Sequence, residues 1–217
     1  MTINIEKKHI LIFVGLAVLA VVGIIGMQSY KNKQYEKNMK ICQENVYVLY
    51  FMSSILSAEI HDTWRGYIFD DKKYVDPETG KFYKSRYGLP ASVKSENIMY
   101  CSSFSEAIAH KARYFMKRNV NHTLDSLYSA TKALITQMTP APSKHEALHR
   151  DFCELFLTSE AMYNCATNPE GSLQSYTSSI NTISTEYNKH SSNIDIQIGE
   201  IEESKVAELK FKALLKF

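Results

Sequence analysis

Ile10 to Met27, ILIFVGLAVLAVVGIIGM, is an eighteen-residue stretch with no charge, no proline and no strongly polar side chain. As a helix rising roughly 1.5 Å per residue it is about 27 Å long, close to the roughly 30 Å of a bilayer's hydrocarbon core. A helix apolar on every side needs apolar surroundings on every side, so residues 10–27 are expected to form a transmembrane helix after a short tail, residues 1–9, with membrane lipid as the first partner. No A-x-A-like cleavage site follows the run, which suits a retained signal anchor over a removed signal peptide.

The rest of the chain is too polar to follow the anchor into lipid. About 190 residues remain, enough for one domain with a real core. Lys and Arg number 25 against 23 Asp and Glu, so no overall field calls for a nucleic-acid partner. Five prolines and eight glycines, three of these in the apolar run, leave few turn formers for a β domain. The expected fold is therefore all-α: an elongated antiparallel bundle of about four helices over residues 28–204. Orientation is not decided by charge, because Lys7 and Lys8 precede the run while Lys31, Lys33, Lys37 and Lys40 follow it. The compact Lys-Lys-apolar order favours a cytoplasmic tail and an extracytoplasmic domain.

Apolar periodicity places the helices. Ile41, Cys42, Val46, Leu49, Ser53, Leu56, Ile60 and Tyr67 recur at helical spacing and continue the first helix to about Phe69. A second helix is expected over 96–138, slipping by one position around Asn119 to His122 as a tolerated stutter. Pro140 and Pro142 stop it, and Ser143 with Glu146 has the spacing of a capping box for a third helix, ending near Asn168. Asn168-Pro169-Glu170 reads as the start of a fourth, whose heptad-like seam is Leu173, Tyr176, Ile180, Ile183, Tyr187, His190 and Ile194, loosening at 190–193. Up-and-down order returns the chain to its starting end, where residues 205–217 set Val206, Leu209, Leu214 and Phe217 against four lysines as a basic amphipathic segment.

Between 70 and 95 the helical pattern collapses. Asp76-Pro77-Glu78-Thr79-Gly80 is a turn sequence between Lys73-Tyr74-Val75 and Lys81-Phe82-Tyr83, which alternate as hairpin arms do. Trp64, Tyr67, Tyr74, Phe82, Tyr83 and Tyr87 crowd this insertion and the helix end that feeds it, among several lysines. Tyr and Trp are favoured interface anchors, so these six residues are the expected partner-binding surface; the plainer reading is that they cap the end of the bundle.

His145-Glu146-Ala147-Leu148-His149 fits H-E-x-x-H, where two imidazoles one helical turn apart bind zinc and the glutamate activates water. Over these five residues the chain resembles the zincin metalloproteases, which implies zinc on His145 and His149 and catalysis by Glu146. Against it, the string sits on a helix's first turn, Glu146 is claimed by the cap, and no H-x-x-G-x-x-H extension supplies a third ligand. No other cofactor is indicated. Four cysteines lack any C-x-x-C spacing, and helical heights leave Cys42 with Cys153 as the pairing for a disulfide.

These features describe a single-pass membrane protein acting by contact with a protein partner or a second copy. Two alternatives are a ligand-sensing bundle similar in architecture to the periplasmic modules of bacterial chemoreceptors and histidine kinases, working through a separate signalling subunit, and a zinc metallohydrolase.

Overall fold

The computed structural model describes residues 7–198, with side-chain environments from residue 26 onward. Five α-helices stand among the described residues: α1 (Lys7–Phe69), α2 (Phe104–Lys117), α3 (Val120–Gln137), α4 (Glu146–Thr167) and α5 (Leu173–Ile198). Three short strands, β1 (Tyr74–Asp76), β2 (Lys81–Tyr83) and β3 (Met99–Tyr100), form one antiparallel sheet in the order β2-β1-β3. The all-α expectation holds for the bulk of the chain, with this small sheet added.

α1 is the axis against which the other helices pack. Tyr35, Met39, Cys42, Val46, Leu49, Ser53, Leu56, Ile60 and Thr63 follow at alternating steps of four and three, and every one is buried. That 3.5-residue period keeps one seam turned inward along the helix, as in a coiled coil. Ile41 was expected on the seam but lies just off it, 40% exposed. Among the described side chains below Tyr35, only Asn32 is partly covered, so α1 projects beyond the bundle's base.

Contacts along α1 give the direction of the other helices. Lys144 and His145, at the start of α4, lie beside Glu36, while the Tyr176 hydroxyl on α5 donates to Cys165 O near the end of α4 and reaches Ser57 O on α1. The α5 ring Tyr187 stacks on Tyr50 at 3.5 Å, and Gln43 donates to Asp195. α4 thus runs with α1 and α5 runs against it; α2 and α3 make the descending leg between, giving the expected up-down-up-down order. The seam on α5 also holds: Tyr176, Tyr187 and Ile194 are buried and Leu173 and Ile180 pack on the same core.

Local chemistry corrects four boundaries. The second helix is not continuous: Asn119 takes the left-handed conformation at φ 56°, which asparagine tolerates better than other side chains, and it separates α2 from α3 where a stutter was expected. Its first turns are not helical either, because Met99 and Tyr100 add a strand to the hairpin; α2 starts instead at Ser103, whose Oγ accepts from Glu106 N–H while the Glu106 carboxylate accepts from Ser102 N–H. The Ser143–Glu146 box does not form: Ser143–His145 is a 3-10 turn, and the cap of α4 carries no side-chain hydrogen bond. Asn168 ends α4 without starting α5, which is capped by Ser172 and Ser175 bonding reciprocally and runs unbroken through 190–193.

Among the described residues no helix is long and apolar enough to cross a membrane. The expected span at 10–27 rests chiefly on side chains outside that description, as does the whole of the basic segment 205–217.

Candidate contact surface and the base of the bundle

The hairpin at the far end forms as its turn chemistry requires. Asp76 holds the turn through its carboxylate, accepting from Glu78 N–H at 2.9 Å and Thr79 Oγ1–H at 2.7 Å, and Gly80 closes it at φ 64°. Register places Tyr83, Tyr74 and Tyr100 side by side across the three strands, with Phe82, Val75 and Met99 in the next row. Directly paired residues share a face of a sheet, so the two rows point opposite ways. Val75 forms a small core with Cys101 and Ala107, flanked by Tyr67 and Phe82, while Met99 at the end of the same row is exposed. The tyrosine row faces away from that core, with Tyr74 and Tyr100 rings in edge contact at 5.1 Å.

One buried cation fixes this sheet to the bundle. Lys111 on α2 donates to Glu59 on α1 at 2.8 Å and to the Gly80 carbonyl at 2.9 Å. Its ammonium also lies within 6 Å of the Tyr114 and Phe115 rings. The lysine is 6% exposed, so these partners replace the water its ammonium gives up on burial.

The six expected contact residues separate under this geometry. Trp64 is a core residue, 4% exposed, packed against Phe104 and Tyr176 at 4.5 and 5.4 Å between ring centres, and is unavailable to a partner. Tyr67 and Phe82 are half-buried against the small core, which matches the capping role for those two. Tyr74 and Tyr83 belong to the tyrosine row and are themselves half-buried, and Tyr87 is 97% exposed. Ile68, Met99 and Tyr100 are exposed at the same end and were not singled out from sequence; Phe69, part of the aromatic cluster in the sequence but outside the six, is exposed with them. Phe69 and Ile68 depart from the α1 seam, a signal that was legible; Met99 and Tyr100 were concealed by their assignment to a helix.

At the base, His145 and His149 do not converge as zincin histidines do. The Tyr35 ring lies against both, 5.2 Å from His145 in a stack and 6.1 Å from His149. His145 Nε2 stands 3.3 Å from the Glu36 carboxylate, whereas His149 Nε2 stands 3.2 Å from Thr139 Oγ1 and 3.7 Å from Cys153 Sγ. Glu146 is exposed. Among the described residues no group of three or more His, Cys, Asp or Glu is placed to hold a metal ion. A cleft of about 480 Å³ opens beside the cluster, lined by Glu36, Lys40, His145, Leu148 and Ile198 among others. All four cysteines are thiols; Cys42 and Cys101 are buried, Cys153 and Cys165 half-buried.

Burial sets the protonation of this region. It pushes the Cys42 thiol up to about 12, with the neighbouring Cys153 adding to the rise, and raises Cys153 itself. It lowers the pKa of His149, and of His110 on α2, where Arg113 adds to the lowering and Glu106 opposes it. Both histidines are thus neutral in the fold at a pH where the unfolded chain has begun to protonate them. Their contribution is complete above about pH 6.5, the ordinary histidine value, and falls away as pH drops from there through the lowered folded values. Urea midpoints at pH 7.5 and pH 5 should show wild type losing more stability on acidification than a His110→Gln/His149→Gln variant; equal losses would remove these histidines as the cause.

No protein-family model, curated protein or solved structure matches this chain.

Proposed function

We propose that this protein is a single-pass membrane protein that presents a helical bundle outside the cytoplasm and binds a protein partner through the aromatic sheet at the far end. The observation that carries this reading is the Tyr83-Tyr74-Tyr100 row, turned away from the core that supports it. Exposed Phe69 and Tyr87 enlarge the aromatic surface at that end. Tyrosine combines a large apolar ring with a hydroxyl and loses little rotamer freedom on binding, which suits it to an interface anchor. The apolar run 10–27 supports the anchor, and the projection of α1 below Tyr35 supplies a stalk between lipid and bundle.

A photo-crosslinking amino acid at position 87 or 100 should give discrete protein adducts in intact membranes, while one at exposed Thr136 on α3 should not. The adducts should disappear when Tyr74 and Tyr83 are changed to alanine with helicity preserved. Adducts that survive this change would remove the sheet as the contact surface, and full-length chain released from membranes by alkaline extraction would remove the anchor.

A further inference from the structure

We propose that Cys42 and Cys153 form a disulfide stapling α1 to α4, with Cys153 reacting first.

The pairing follows from the faces that meet at the base. Tyr35 contacts His145 and His149, and Cys42 lies seven residues beyond Tyr35, on the same face of a helix packed with a 3.5-residue seam. His145 caps the start of α4, and His149 and Cys153 follow it on the helix at steps of four, so Cys153 continues the face that Tyr35 touches. The two helices run in the same direction. From Tyr35 to Cys42 the climb is about 10 Å, and from midway between the histidines to Cys153 about 9 Å, so the thiols arrive at one level. Cys153 raises the pKa of the Cys42 thiol electrostatically, which agrees with that placement.

The thiols differ in a way that orders the reaction. Cys42 is fully buried and lies in the main core, whereas Cys153 is half-buried and has His149 Nε2 at 3.7 Å. Cys153, the more accessible thiol, loses its proton to solvent, and its thiolate attacks one sulfur of an external disulfide such as oxidised glutathione; that S–S bond breaks, and the departing thiolate takes a proton from solvent. The Cys42 sulfur next attacks Cys153 in the mixed disulfide and loses its own proton, releasing the second glutathione as a thiol. Two protein thiols are oxidised and one external disulfide is reduced to two thiols. High-pKa thiols leave slowly, so the bond suits a lasting staple rather than a shuttle.

Full-length chain in detergent micelles, reduced and then treated with oxidised glutathione at pH 7, should yield a linked peptide pair containing Cys42 and Cys153, with Cys101 and Cys165 still open to alkylation after unfolding. The urea midpoint should rise on oxidation in wild type and in a Cys101→Ala/Cys165→Ala variant, and stay unchanged on oxidation in Cys42→Ala and in Cys153→Ala. Comparing each variant with and without oxidant separates the staple from any loss of packing. A map lacking the 42–153 link, or a midpoint shift that persists in Cys42→Ala, overturns the staple.

Discussion

Replacing Phe152 with alanine should lower stability by about 3–5 kcal/mol, the range for truncating a fully enclosed aromatic ring. Phe152 is 0% exposed and is the largest of the completely buried side chains among the described residues. It sits on α4, which packs against both α1 and α5, so the space it vacates cannot be closed by moving one helix alone. The loss would consume a large part of the 5–15 kcal/mol ordinarily available to a domain and should lower the melting temperature by roughly 6–20 °C at this size. Thermal unfolding of the full-length chain in micelles, followed by circular dichroism, measures it. Phe69→Ala, with a ring 71% exposed, is the matched control and should stay within about 0.5 kcal/mol of wild type. A shift in Phe152→Ala no larger than that of Phe69→Ala would mean that the α1–α4–α5 core is not packed as described.

Lys111→Met should act in another way, detaching the sheet while leaving the four-legged bundle helical. The lysine joins Glu59 of α1 to the Gly80 carbonyl at the hairpin turn. Methionine retains the apolar stem but leaves the Gly80 carbonyl without this partner, at a cost of about 1–3 kcal/mol for a buried group so stranded. Glu59 is half exposed and can be solvated, so most of the penalty falls on the turn. Hydrogen exchange should accelerate at 74–83 and 99–101 with protection in α4 and α5 unchanged. Crosslinks from position 100 should be lost together with that protection. Uniform acceleration across the molecule would show instead that Lys111 supports the bundle as a whole, and no change would show that the small core holds the sheet without it.

Much of the architecture was legible because local physics dictated it. The 4-3-4-3 recurrence from Cys42 to Ile60 needs a partner surface along its length, and Asp76 to Gly80 can hardly be anything but a tight turn. Pro140 and Pro142 forbid one long second helix from running on, and the up-down-up-down order follows from the short connections. The exceptions came where two local options had similar strength. Ile98 to Cys101 suits a helix or a strand, and the vacant edge of β1 selected the strand; Ser143 offered capping-box spacing with Glu146, yet a 3-10 turn formed there instead. Asn119 shows the same limit, since a one-residue slip is equally consistent with a stutter and with a left-handed break.

The contact surface was only half legible for a related reason. Aromatic density located the region, but density does not say which way a ring points. Sequence spacing put Trp64 and Tyr87 in one group, whereas packing enclosed the first between Phe104 and Tyr176 and left the second in the open. Likewise, His145 and His149 have zincin spacing in the chain, but Tyr35 from another helix lies against both rings.

By itself the sequence determined the helical class, the seam of α1, the hairpin turn and the apolar run at 10–27, because each follows from neighbours within a few residues. Which aromatics are enclosed, and which ring lies against His145 and His149, were decided only when the helices packed side by side. Those relations join Trp64 to Phe104 and Tyr176 and Tyr35 to His145 and His149, far apart in the chain, and no local period encodes them.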